Sequence, residues 1–367
     1  MISLEKPTQV EIPVFWKQIF LLIALEGAVT IGWFAYEKYQ PILLGKYHFE
    51  QLVTLLVVAQ GLLGAIFNPL SGYYADKMYK KLGSKFPVII AGITFAAIIF
   101  MAVSIVLLAD SNSPFRFALP FLVILWLAAM STFHSPAVSL VESLAPKDKI
   151  PYVSALLVIV FGLVYAIGPV VVLLLNTIGL TATFILGGLL LAITGYALKN
   201  GIENDKIYNN HARNDTYNQK YNPTNPSILS IMGFFIGLCK AITLFVLPVL
   251  ISRYLNLSII YTEAITMASA ALIALPVSKF IEKFGENKIL IAGCIMSIIC
   301  FFVGYFFRQQ MISYVVIIMS GFIYGTLAVS ALPFVLNRTS PQETGSGMGL
   351  FYGGVAAASA SISLLFL

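Results

Sequence analysis

Eleven apolar runs follow one another along the chain, at roughly 16–44, 52–75, 86–109, 118–141, 152–175, 180–198, 228–251, 260–281, 288–307, 312–336 and 346–367. Each is close to the roughly 20 residues that a helix needs to cross the hydrocarbon core of a bilayer. The runs are continuously apolar and lack the alternation of a membrane β-barrel, so helices are predicted. Composition agrees: 59% of the 367 residues are hydrophobic and 10% are charged, with a mean hydropathy of +0.90. Those values exclude a water-soluble domain of this length. The first run carries Glu26 and Glu37 and has no basic region followed by a small-residue cleavage site, so it reads as a retained span rather than a signal peptide. The expected fold class is an all-α integral membrane protein.

The runs also repeat. Pro41-Ile-Leu-Leu-Gly-Lys-Tyr47 is echoed by Pro248-Val-Leu-Ile-Ser-Arg-Tyr254, and Pro69-Leu-Ser71 by Pro276-Val-Ser278. In the same order, Ile89-Ile-Ala-Gly92 matches Leu290-Ile-Ala-Gly293 and Leu144-Ala-Pro146 matches Thr339-Ser-Pro341. An internal duplication of this kind predicts two similar helix bundles facing each other, an arrangement by which many secondary transporters make a central site reachable from either side. The domain reading is a six-helix bundle over 1–199, a linker over 200–227 and a five-helix bundle over 228–367. The linker is polar and Tyr/Asn-rich, ends in Asn222-Pro-Thr-Asn-Pro226, and cannot cross a bilayer.

Lys and Arg set the expected orientation. With a cytoplasmic amino terminus, 16 of the 22 fall on inner segments and five outside, with Lys240 left within a span. That bias is the positive-inside pattern, and eleven crossings then put the carboxyl terminus outside, in a multi-pass protein of the cell membrane. The net charge of +6 sits mainly on short loops facing anionic lipid, so no nucleic-acid partner is implied. Cys239, Cys294 and Cys300 all fall in spans and read as packing residues. There is no metal-ligand cluster, no Gly-rich loop followed by Lys-Ser or Lys-Thr, and no nucleophile elbow, so neither a metal, a cofactor, an ATP-driven pump nor an enzyme is expected.

After the second span, Gly72-Tyr-Tyr-Ala-Asp76-Lys77-Met-Tyr-Lys80-Lys81-Leu-Gly83-Ser-Lys85 resembles the signature that the major facilitator superfamily carries between its second and third helices. The resemblance implies a gate in which Asp76 and Lys80 or Lys81 form a charge relay closing the cytoplasmic side, with Gly72 and Gly83 framing the turn. The second copy is reduced to Glu282-Lys283-Phe-Gly285. Gly168-Pro169 is similar to the glycine-proline motif in the fifth helix of family antiporters, although Val170 and Val171 replace the trailing glycines, and helix bending is its expected role. Within the superfamily, Gly32-Trp33 through Gly45, followed by Asn68-Pro-Leu-Ser-Gly72, looks like glycoside and sucrose cation symporters. This implies a sugar-like solute, with Trp33 and Tyr36 or Tyr39 stacking on a pyranose and Glu26, Gln60 or Asn68 accepting from hydroxyls. The twelfth span of the family is missing from the pattern of runs, leaving six helices plus five.

Ionisable groups at membrane depth are costly and point to function. Glu26, Thr30, Trp33 and Glu37 step along one face of the first span, and Lys240 lies mid-span in the seventh, so a Glu26 or Glu37 interaction with Lys240 across the cavity is expected to respond to substrate or a proton. Glu37, Lys38 and Glu263 have an interfacial reading as the alternative. His134, followed by Pro136, either titrates or packs; Gln60, Gly64 and Asn68 mark a polar face of the second span, and Ser320 and Tyr324 one of the tenth. Gly345, Ser346, Gly347, Gly349, Gly353 and Gly354 are expected to permit close helix packing. The predicted function is secondary active transport of a small solute, coupled to H+ or another cation, by a monomer or weak oligomer. Proton-driven efflux of amphipathic compounds, and a non-transporting sensor or scaffold on the same fold, are the alternatives.

Overall fold

The computed structural model describes residues 13–109, 112–205 and 225–365. Most of the expected linker, together with Lys6, Lys206, Arg213 and Lys220 of the charge pattern, lies outside the described residues. The helices are α1 (Trp16–Lys46), α2 (Leu52–Leu82), α3 (Phe86–Leu108), α4 (Ala118–Val138), the short α5 (Val141–Leu144), α6 (Ile150–Ala166), α7 (Gly168–Ile178), α8 (Leu180–Glu203), α9 (Pro226–Ala241), α10 (Leu247–Leu255), α11 (Ile259–Phe284), α12 (Glu286–Phe306), α13 (Gln310–Leu336) and α14 (Thr344–Leu365). Among the described residues, eleven helical segments are long and apolar enough to cross a membrane, and they coincide with the eleven runs. Large apolar side chains such as Leu62, Ile66, Ile105, Leu173, Leu272 and Met311 remain on the outer surface, which is stable only where lipid rather than water covers them.

Local chemistry explains where helices stop and bend. The second run extends to Leu82 because Tyr73 to Lys81 continue the helix until Gly83, which adopts φ 71° and closes it in the left-handed region. The fifth span breaks at Ile167, between α6 and α7, where Pro169 has no N–H to continue the ladder. The seventh span carries a π turn at Ile242–Val246, just ahead of Pro248. The proline ring would crowd the carbonyl four residues earlier in a regular helix, and a widened turn relieves this.

The chain's first part packs α3 against α4 and α8, α2 against α4, and α1 against α6 and α8; the second packs α9 against α14 and α13 against α11 and α12. Two long seams join them, α2 along α14 and α6 along α11. The first seam is backbone-close. A Cβ on Gly72 would overlap the Gly345 carbonyl, one on Gly349 the Asn68 carbonyl, and one on Gly353 the Pro69 ring. On its other side α14 meets α9, where Gly233 sits on the Phe351 carbonyl and Gly354 on that of Ser230. Where lipid removes a hydrophobic drive for association, such small-residue contacts supply the packing. Cys239 and Cys300 are buried and Cys294 half-buried, all as free thiols.

The α2–α3, α4–α6, α11–α12 and α13–α14 connections lie at one end of the molecule, with Lys77, Lys80, Lys81, Lys85, Lys147, Lys149, Lys283 and Arg338. This is called the basic end below.

Candidate functional site

At mid-depth, five helices bring polar groups to one place. Glu26 is ten residues into α1, about 15 Å from the basic end at 1.5 Å per residue. Its carboxylate lies 3.3 Å from His134 Nε2 on α4, with side chains 15% and 25% exposed. The imidazole meets the Tyr352 ring of α14 edge-on, with centroids 5.2 Å apart. Lys240, on α9, holds its Nζ 5.2 Å from the centre of the Tyr324 ring of α13, and Phe161 of α6 stacks on that ring at 6.1 Å. The field of Glu26 reaches Lys240, Tyr324 and Tyr352. Glu26, His134, Lys240 and Tyr352 are half-buried and Tyr324 is 6% exposed, so the cluster is partly accessible.

The expected ion pair between Glu26 or Glu37 and Lys240 is not formed. Among the described residues, ion pairs join Glu26 to His134 and Lys38 to Glu263, and none involves Lys240. The reason is helix rotation: His134 faces α1 directly, whereas the Lys240 ammonium turns to the Tyr324 face. Glu37 lies eleven residues beyond Glu26, about 16 Å further along the helix. Thr30 is buried, and its hydroxyl donates to the Glu26 carbonyl at 2.7 Å, so it braces α1. Trp33 is half-buried against Trp126, with centroids 5.0 Å apart. Gln60 is half-buried on α2. Asn68 is consumed by packing: Ser135 donates to its Oδ1 at 2.7 Å and its Nδ2 donates to the Gly64 carbonyl at 2.8 Å. The rings proposed to stack on a sugar are also enclosed, Tyr36 and Tyr39 each being 5% exposed.

Away from the basic end, a second cluster links α1 to α6 and α11. The Tyr165 hydroxyl donates to Glu37 at 3.0 Å. Lys38 Nζ is 2.7 Å from Glu263 of α11, with side chains 25% and 16% exposed. Gly168 admits the Phe34 ring at the break between α6 and α7, where a Cβ would lie 2.9 Å from it. The Lys38–Glu263 link was not legible in the sequence, where both residues have an interfacial reading as the alternative; nothing local marks a pair 225 positions apart.

At the basic end, Asp76 reaches across the α2–α14 seam and caps α14. Its carboxylate accepts from Gly345 N at 3.0 Å, Ser346 N at 2.6 Å and Ser346 Oγ at 2.6 Å. This is favourable for an anion at a helix N-terminus, where N–H groups have no partner within the helix. The cation beside it is Lys85, not Lys80 or Lys81. Lys85 Nζ lies 3.5 Å from Asp76 with both side chains buried, and donates to Ser139 Oγ at 2.9 Å and Thr344 Oγ1 at 2.5 Å. Burial pulls the Lys85 amine below the ordinary lysine value, against the opposing pull of Asp76 and then Glu142. Lys80 instead pairs with Glu343 at 3.3 Å on the surface, and Lys81 is exposed on the last turn of α2. Glu282 and Lys283 do not form a latch; both are exposed, with Lys283 over the Phe284 ring, because Gly285 turns the chain immediately after them. The charged brace of that region is Glu286 with Arg338, 3.3 Å apart, where Arg338 also donates to Asn287 and stacks on Phe334 at 3.9 Å. A cavity of about 540 Å³ lined by Tyr73, Lys77, Leu229, Arg338 and Glu343 opens beside the latch.

The model of the Major Facilitator Superfamily matches residues 31–363. Among curated proteins, none matches by sequence. The fold is similar to that of the human organic anion transporter MFSD10 (TETRAN), with a TM-score of 0.72 at 14% identity, covering 95% of this chain and 92% of that one. It is also similar to a bacterial homologue of the iron transporter ferroportin in an outward-facing state, with a TM-score of 0.65, 14% identity and coverages of 95% and 91%. The proton:xylose symporter XylE, bound to 6-bromo-6-deoxy-D-glucose, gives a TM-score of 0.63 at 12% identity over 96% and 89% of the two chains.

Proposed function

This chain belongs to the major facilitator superfamily, and we propose that it moves a small solute by alternating access, with protons coupled at Glu26 and His134. Secondary transport is what its family and fold support; the solute and the coupling ion are our reading. The observation that carries the coupling is the Glu26–His134 pair, 3.3 Å apart at the depth of the lipid tails yet partly accessible. A proton on His134 completes an ion pair there. Loss of that proton leaves a carboxylate without a cationic partner in a costly place, so proton occupancy and the shape of the site are linked.

Alternating access needs contacts that break at one end while others form at the opposite end. The Asp76–Lys85–α14 latch serves the basic end, with Gly72 allowing the close approach, and the Lys38–Glu263 pair, backed by Glu37 and the Gly168-Pro169 break, serves the other. The moving bodies in this reading are the duplicated halves, 1–199 and 228–367. Positive-inside placement makes the basic end cytoplasmic, with the amino terminus inside the cell membrane. The structural relatives carry an organic anion, iron and a sugar in their descriptions, and so do not select the solute. The sugar-like solute loses its support from Tyr36 and Tyr39, whose rings are packed away.

Purified protein in proteoliposomes, with an imposed proton gradient and a panel of sugars, organic acids and cationic amphiphiles, tests the proposal. Gradient-driven uptake of one class, abolished in Glu26→Gln and made insensitive to pH in His134→Asn, is the expected outcome. Undiminished gradient-driven uptake in both variants refutes the coupling role. Ligand binding with no flux of any solute points to a sensor instead.

A further inference from the structure

Among the described residues, Lys240 is an interior charge without an ion pair. It lies fourteen residues into α9, about 21 Å from the basic end, and among the described residues no carboxylate comes within ion-pair distance of it. Its direct partner is the face of Tyr324 at 5.2 Å, which attracts a cation without neutralising it. Glu26 contributes a field at Lys240, but that carboxylate is held on its other side by His134 at 3.3 Å. Once His134 is protonated, Glu26 is matched and one positive charge remains.

The groups around that charge suit an anion. The hydroxyls of Tyr324 and Tyr352 have no hydrogen-bond partner among the described residues, and neither belongs to the fully enclosed orphan groups. Both can donate, and neither oxygen is fully enclosed. Glu26 of α1 and Tyr324 of α13 act on Lys240 directly, while His134 of α4 and Tyr352 of α14 stand beside those two, His134 against Glu26 and Tyr352 near both Glu26 and Tyr324. Phe161, stacked on Tyr324, supplies an apolar wall. The π turn at Ile242–Val246 starts two residues after Lys240, where a loosened hydrogen-bond ladder lets the lysine adjust.

We propose that Lys240 binds the carboxylate of a small organic monoanion with an apolar or aromatic body, taken up together with the proton on the Glu26–His134 pair. The loaded site is then neutral: protonated His134 answers Glu26, and the substrate carboxylate answers Lys240. Charge neutrality of the loaded interior lowers the cost of carrying it between the two open states. The assignment rests on the transporter reading and names its substrate class.

The test uses the full chain and four acids, benzoate, phenylacetate, butyrate and lactate, each paired with its neutral amide. Titration calorimetry at pH 5.5 and pH 8 reads the affinities. At least one acid is expected to bind ten-fold or more tighter than its amide, with the gap widening at pH 5.5. Lys240→Gln is expected to erase the gap, Lys240→Arg to retain most of it, and Tyr324→Phe to reduce acid binding about five-fold. Should Lys240→Gln not elute as a monodisperse species, the Lys240→Arg and Tyr324→Phe pair carries the test. Equal binding of every acid and its amide, or a gap that survives Lys240→Gln or, in the fallback pair, is unchanged by Tyr324→Phe, overturns the assignment. Gradient-driven flux of neutral solutes without acid preference overturns it while transport stands. Lys240-dependent acid binding with no flux leaves the anion site intact and removes transport.

Discussion

Replacing Asp76 by Asn should unlatch the basic end. The carboxylate is 3% exposed and accepts from two backbone N–H groups and one hydroxyl at 2.6 to 3.0 Å. An Asn amide offers one oxygen. Either the Gly345 N–H or the Ser346 pair of donors then faces an NH2 group, and the buried Lys85, 3.5 Å away, loses its counter-charge. Hydrogen bonds to a charged group contribute about 1.5–3 kcal/mol each, and truncating one member of a buried ion pair costs about 3–5 kcal/mol. The two figures overlap, so the closed arrangement should lose about 3–5 kcal/mol relative to the open one, a shift of roughly two to four powers of ten in their ratio. Ser139 is 1% exposed beneath the latch, so a Ser139→Cys thiol reacts with a membrane-impermeant maleimide only from the open state. With Cys239, Cys294 and Cys300 replaced by Ala, the labelling rate follows the open population. Asp76→Asn should raise that rate at least a hundred-fold over the Ser139→Cys background. A rise of less than ten-fold would mean that the seam is held by helix packing alone and that Asp76 does not latch it.

Three further outcomes follow from the same contacts. A double-mutant cycle on Lys38→Ala and Glu263→Ala, read by thermal unfolding in detergent, should return a coupling of about 1–2 kcal/mol, above the 0.2–1 kcal/mol of fully exposed pairs; a value near zero removes the cross-link. Because burial holds Lys85 below its ordinary value of 10.5, the unfolded chain binds more protons over the interval up to that value. Folded stability therefore rises as pH climbs through the depressed value towards 10.5 and is lost as pH falls through it; Lys85→Met should flatten this slope of Tm against pH, and an unchanged slope contradicts the assignment. Gly72→Ala places a methyl on the Gly345 carbonyl, and overpacking of this kind costs typically about 1–3 kcal/mol, so both a lower Tm and faster Ser139→Cys labelling are expected. A wild-type Tm in that variant would show that the seam has slack.

Much of the architecture was legible because lipid acts on each residue separately. A span must be apolar along its whole length, so the eleven runs needed no knowledge of what each helix touches, and Gly83 and Pro169 mark their breaks by backbone chemistry alone. The latch was half legible. Gly72 and Asp76 stood out by spacing, but Lys80, Lys81 and Lys85 are equivalent as sequence, and only the turn at Gly83 folds Lys85 back under Asp76 while leaving Lys80 for Glu343. The Glu26, Thr30, Trp33 and Glu37 stripe was legible as one helical face, yet its members serve separate contacts along α1.

Pairing was beyond the sequence. Whether Glu26 meets His134 or Lys240 depends on the rotation of α1, α4 and α9 about their own axes, and each residue added to a helix turns its side chain by about 100°. Hydrophobic composition and the count of Lys and Arg on each loop are sums over residues and survive any such rotation, so they determined the fold class, the spans and the charged end. Contact is a difference between positions, sensitive to a single step of that rotation. The Asp76–Lys85–α14 latch, the Lys38–Glu263 link and the unmatched Lys240 were therefore decided only by how the helices pack.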